Sequence, residues 1–177
     1  MYADNTLTPK EATRLCALGI LADGPIAYAE LASGVRHFVT HVMGPSLDVL
    51  GTSIELLKHE GLVTSISGQA DKAVLEITAE GTAELKMLLK AKIKTAENDL
   101  NKLIIALKFR YMDLLDSDER RQQLDLLSET FENEQARLEE LRAHHVKDSV
   151  HLVEWLDREI EDLERRLSWL NAKRERV

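Results

Sequence analysis

The stretch Ser46–Gly81, SLDVLGTSIELLKHEGLVTSISGQADKAVLEITAEG, decides the fold. Leu47, Leu50, Ile54 and Leu57 recur at spacings of three, four and three, which places them on one face of a helix ending near His59. Asp48, Thr52, Glu55 and Lys58 fall on its other faces. Gly51, in the middle, costs about 1 kcal/mol relative to alanine. Thr52-Ser53-Ile54-Glu55 has the form of a capping box, so the helix can kink or restart there. Gly61 supplies the left-handed residue that ends a helix. Val63–Ile66 and Ala73–Ile77 then read as two strands flanking the polar tip Ser67-Gly68-Gln69-Ala70-Asp71-Lys72, and Thr78-Ala79-Glu80-Gly81 leads into the next helix.

Upstream, Thr8-Pro9-Lys10-Glu11 is a helix start, with Thr8 as N-cap, Pro9 at the first helical position and Glu11 closing a capping box. That helix runs through Leu15, Cys16 and Leu18 to Leu21 and stops at Asp23-Gly24-Pro25. A second helix runs from about Ala27 to Leu31 or a little beyond, Val35–Met43 is ambiguous, and Gly44-Pro45 breaks the chain again. Three helices followed by a hairpin is the order of a winged helix-turn-helix, whose third helix enters the major groove with the hairpin tip beside it. The alternative is a small α+β domain with no nucleic-acid role.

All eight glycines and all three prolines lie at or before Gly81, and the 96 residues after it contain neither. Because these residues punctuate turns, the chain divides into a turn-rich domain, 1–81, and a helical domain, 82–177. The expected fold class is mainly α. A winged helix-turn-helix is followed by long C-terminal helices that form a coiled-coil-like dimerisation module. The first long helix carries Leu85, Leu89, Ile93, Ala96, Leu100, Leu103 and Leu107; Asp116-Ser117-Asp118 reads as a break and restart. The next carries Leu124, Leu127, Phe131, Leu138 and Leu141, interrupted by Glu134, and a turn is expected between His144 and Ser149. The last repeats Val153, Leu156, Ile160, Leu163, Leu167 and Leu170 at alternating spacings of three and four, a coiled-coil seam. A domain of about 80 residues cannot cover stripes this long, so a homodimer joined through this seam is expected.

Net charge is −8, with 7 basic and 11 acidic side chains in residues 1–90 and 16 and 20 in residues 91–177. This acidic balance counts against strong DNA binding, since phosphate contacts dominate such affinity. No apolar run is long enough to span a bilayer, the opening residues lack the form of a secretory signal, and the single cysteine fits a reducing cytoplasm. Cys16 reads as a small core residue. His37 and His41 stand four apart without a third ligand, and His144, His145 and His151 lack the spacing of a metal site, so solvated histidines are expected and no metal or cofactor. No phosphate loop, nucleophile motif or spaced carboxylate pair appears, and no enzyme activity is expected.

Three motifs resemble the PadR family of winged-helix transcriptional regulators, with a looser similarity to MarR-type regulators. They are Ile20-Leu21-Ala22-Asp23-Gly24-Pro25-Ile26, Leu57-Lys58-His59-Glu60-Gly61-Leu62-Val63 and Ile77-Thr78-Ala79-Glu80-Gly81. The sequence departs from that family at Gly51, where a tyrosine is usual, at Glu55-Leu56, where a basic pair is common, and in Ala73-Val74-Leu75-Glu76, which lacks the usual basic and tyrosine residues. The resemblance implies a homodimer on a palindromic DNA operator. Ser46, Thr52, Ser53 and Lys58 would lie on or near the groove-facing helix, Arg36 before it, and Gln69 and Lys72 at the wing tip. It also implies that Trp155 and Trp169, 14 residues apart on one helix face, could wall a site for a small-molecule effector. Packing against another helix or the winged domain is the favoured reading of both tryptophans. The acidic balance and Glu55-Leu56 keep a second reading open, a dimeric winged-helix protein-interaction module with weak or no DNA binding.

Overall fold

The computed structural model describes residues 6–43, 53–93, 99–145 and 150–177. They are mainly helical with one small antiparallel sheet, and the chain divides into two compact units. The first holds residues 6–92 and 99–115, the second Ile93 and the chain from Asp116 onward.

In the first unit, helix α1 (Pro9–Ala22) is the central element. Thr8 Oγ1 accepts from the Glu11 amide, and the Glu11 carboxylate accepts from the Thr8 amide at 2.7 Å, the expected capping box. Ala12, Leu15, Cys16, Ala17, Leu18 and Leu21 are all buried, because neighbours cover α1 on several sides. A short strand β1 (Ile26–Ala27) follows and then helix α2 (Tyr28–Met43). The ambiguous segment 35–43 thus belongs to one continuous helix. Leu31, Val35 and Val39 form its buried seam, and Gly34 sits inside it where an added Cβ would lie 3.3 Å from the end of Ile20.

Helix α3 (Ser53–His59) buries Ile54 and Leu57. The expected start of this helix at Ser46, and with it Asp48, Gly51 and Thr52, lies outside the described residues. Strands β2 (Val63–Ser67) and β3 (Val74–Ile77) form the expected hairpin, with a short 3-10 turn, Ala70–Lys72, at its tip. The sheet order is β1-β3-β2, so β1 adds a strand that the sequence reading lacked. Val63 pairs with Ile77, Thr64 with Glu76, and Ser65 with Leu75; the register then shifts, so that Ser67 faces Val74 and Ile66 is the extra residue of a bulge.

Packing of this unit continues past residue 81. Helix α4 (Ala79–Leu89) packs on α1, and helix α5 (Asp99–Arg110) packs on α1 and α2. The single helix expected through Leu85, Leu89, Ile93 and Leu100 is therefore two helices. The Lys90 amide closes α4, Lys92 bridges to Thr6 in a parallel β-pair, and Lys108 Nζ from α5 donates to the Leu89 carbonyl at 2.5 Å. Lys108 is 1% exposed, and burial pushes its ammonium down to about 8. Tyr111 donates to the Cys16 carbonyl at 3.3 Å, across Gly19, where any Cβ would strike the phenol ring at 2.3 Å. Burial pushes the Cys16 thiol up to about 12, against a weaker pull from Arg110, so it is a core residue with little thiolate character.

The second unit is an antiparallel hairpin of helices α6 (Ser117–His145) and α7 (Val150–Arg174). Asp116 Oδ1 accepts from the Glu119 amide and the Glu119 carboxylate accepts from the Asp116 amide, the expected restart. Arg142 pairs with Asp157 near one end and Arg174 with Asp125 at 2.7 Å near the other. Leu124, Leu127, Phe131 and Leu138 of α6 are buried. Glu134 does not leave that stripe; it is 4% exposed and paired with Arg137 one turn on. Among the described residues no helix is long and apolar enough to cross a membrane.

Candidate nucleic-acid interface

The sequence around α3 dictates how it is held. The Leu62 amide donates to the Leu57 carbonyl and the Gly61 amide to the Lys58 carbonyl, with Gly61 at φ 75°, a Schellman stop. Thr78 joins this stop to α4. Its hydroxyl donates to the Gly61 carbonyl at 2.8 Å and accepts from the Gly81 amide at 3.0 Å, and its amide donates to the Leu62 carbonyl. Gly81 is required there, because a Cβ would stand 2.1 Å from the Leu62 oxygen. Arg14 of α1 completes the junction through ion pairs to Glu60 at 2.8 Å and Glu84 at 3.2 Å. The two short motifs, Glu60-Gly61-Leu62 and Thr78–Gly81, are thus one interlocked joint.

With Ile54 and Leu57 turned inward, the outward face of α3 carries Glu55, Leu56 and His59, all exposed. Together with Lys58 they line one open depression. Lys58 sits on the flank, half-buried, with Nζ 3.5 Å from the Glu55 carboxylate. Ser53 is the first residue of α3, while Ser46 and Thr52 lie outside the described residues. Beside α3, strand β2 exposes Thr64, Ser65, Ile66 and Ser67. At the hairpin tip Gly68 adopts φ 74° with no room for a Cβ, and Gln69 and Lys72 are exposed. Arg36 is exposed on α2, next to His37, whose ring lies 4.1 Å from that of His41. The 3-10 turn at the tip packs on α2, and α3 packs on β2. The elements carrying Arg36, Lys58, Gln69 and Lys72 are therefore neighbours in one unit.

Leu56 and His59 fall outside the contact residues that polar chemistry alone predicts. Their positions signal them, since both lie opposite the Ile54–Leu57 core line.

In the second unit the six seam residues divide into two lines. Leu156, Leu163 and Leu170 are buried, whereas Val153, Ile160 and Leu167 remain half-exposed. Trp155 and Trp169 are 52% and 49% exposed, so neither is buried within the α6–α7 hairpin. Trp169 shares an open depression with Asp162, Arg165 and Arg166, and Lys173 Nζ lies 5.6 Å from its ring centre. Among the described residues no group of three His, Cys, Asp or Glu side chains could hold a metal ion.

The sequence pattern of the family described as "Putative AphA-like transcriptional regulator" matches residues 2–173. No curated protein matches the chain.

Proposed function

Since the chain belongs to the AphA-like family of transcriptional regulators, we propose that it is a cytoplasmic, DNA-binding regulator of winged-helix, PadR-like design. Two copies bind a palindromic operator. Helix α3, which begins at Ser53, enters the major groove with Lys58 toward the backbone. The β2–β3 hairpin acts as the wing through Gln69 and Lys72, and Arg36 of α2 adds a phosphate contact. The observation that carries this reading is the junction of Gly61, Thr78 and Gly81, which holds a helix whose outward face is exposed among the described residues directly before an exposed polar hairpin. The α6–α7 hairpin joins the copies through Val153, Ile160 and Leu167, a line its own partner helix leaves half-exposed. Paired domains would then address half-sites about one DNA turn, ~34–36 Å, apart. The chain has no reaction of its own in this reading. A small-molecule effector meets Trp155 and Trp169 and shifts the balance between binding and non-binding states.

The exposed Glu55–Leu56 pair also favours a second reading, in which the same face docks a protein. A salt series with duplex DNA from upstream of the protein's own gene separates the two. A regulator loses affinity steeply as salt rises, because each neutralised phosphate releases a counterion. Absence of binding at low salt leaves the protein-interaction reading. Sedimentation of the full chain tests the dimer.

A further inference from the structure

Resting on the DNA-binding reading above, we propose that Leu56 is a base-reading residue that packs against the C5-methyl of a thymine in each half-site. The argument begins with what Leu56 does not do. Ile54 at 3% and Leu57 at 0% exposure supply the core contacts of α3, while Leu56 is 45% exposed on the outward side, with His59 between it and Glu55 around the helix. A leucine offers no donor to a phosphate oxygen, and the Glu55 carboxylate beside it repels phosphate. This part of the helix is therefore unsuited to the DNA backbone and suited to the floor of the groove.

The major groove is about 12 Å wide, and a helix with its side chains is about 10–12 Å across, so the outward residues His59 and Leu56 beside it meet base edges. Adenine, guanine and cytosine present donors and acceptors there, and thymine alone presents a methyl group. An aliphatic side chain in that position discriminates by burying that methyl and by failing to satisfy polar edges. Glu55 and Lys58 pair with each other at 3.5 Å, which lowers the charge this face carries into the groove. The departure from a basic pair at Glu55-Leu56 then changes which base is read.

The test starts from a random-core duplex pool selected with the full-length protein. The enriched duplex is resynthesised with deoxyuridine replacing one thymidine at a time, which removes only the methyl group. The wild-type protein should bind about three- to ten-fold more weakly at one or two such positions per half-site, the effect expected for one buried methyl. Leu56→Ala should bind the thymidine and deoxyuridine duplexes alike, with its fold intact because the side chain carries little of the core. Indifference of the wild type to deoxyuridine at every position overturns the proposal. So does a selected half-site without thymine, or a Leu56→Ala protein that keeps the discrimination. Failure to enrich any duplex sinks the DNA-binding reading itself, and this inference with it.

Discussion

The joint around Gly61, Thr78 and Gly81 and the α6–α7 hairpin are held together by opposite means. In the joint, single atoms decide. One hydroxyl serves two partners, and one glycine leaves space that no other residue could leave. In the hairpin a repeated pattern decides. Buried leucines recur every seven residues of α7, and a second line beside them stays half-exposed. A joint of the first kind tolerates few substitutions at a few positions. A seam of the second kind tolerates many, provided they stay on the less buried line.

The largest effect should come from the seam's buried line. Leu156→Ala removes a side chain that is 0% exposed, and such truncations cost about 2–5 kcal/mol. Ile160→Ala, one line over, should cost the hairpin about 1 kcal/mol while weakening self-association of the full chain. Urea unfolding followed by circular dichroism, paired with sedimentation equilibrium, reads both. Equal stability losses for the two variants would erase the distinction between the lines.

The joint should answer next. Gly81→Val drives a Cβ toward the Leu62 backbone oxygen, where only a backbone shift can relieve the contact, and overpacking of this kind costs about 1–3 kcal/mol. Gly34→Ala in α2 is the control. Its Cβ would meet only the flexible end of Ile20, and the helix preference for alanine offsets about 1 kcal/mol of any strain. Thermal unfolding should therefore separate the two glycines clearly. Similar losses would mean that Gly81 is held by something other than the Leu62 contact.

The same contrast explains what could be read in the sequence. The α1 capping box, the Gly61 stop, the hairpin and the Asp116 restart rest on local rules, and each is visible in a few adjacent residues. The division between α4 and α5 was not legible, since no glycine or proline marks it. It depends on contacts distant in sequence: Lys108 bonded to Leu89, and Thr6 paired with Lys92. Strand β1 escaped notice for the same reason, as two residues become a strand only by pairing with β3. At the candidate interface, the polar chemistry of Gln69, Lys72 and Arg36 is legible in the sequence, whereas the exposure of Leu56 and His59 is not, because chemistry alone does not report which way a side chain faces.

Lys108 makes the α4–α5 break measurable. Its folded value of about 8 lies below the 10.5 of a free lysine, so above pH 8 the unfolded chain holds more protons than the folded one. Stability should therefore rise with pH, by up to about 1 kcal/mol between pH 8 and 9. Above pH 9 the trend should flatten or reverse, because Cys16, buried with its thiol near 12, titrates only in the unfolded chain. Lys108→Met should abolish the rise between pH 8 and 9 in urea titrations. A rise that survives the substitution would assign it to another group.

The smallest expected effect lies at Arg14, where the two modes of cohesion meet. Its guanidinium is fixed by geometry to Glu60 and Glu84, yet it sits at the edge of a packed helix with about a fifth of its side chain exposed. Partly exposed ion pairs contribute about 1 kcal/mol or less, so Arg14→Ala should lower stability by about that amount, and by less at high salt. The position of the pair matters more than its energy. Glu60 immediately follows α3, so with Arg14 gone the end of that helix loses its ion-pair link to α1 and keeps the Gly61 stop, Thr78 and the buried Leu57. DNA affinity should then fall by more than the stability loss accounts for, whereas Lys86→Ala, in the same helix as Glu84, should leave affinity unchanged. If Arg14→Ala binds DNA as the wild type does, the backbone joint alone orients α3 and the ion pairs are only surface cohesion.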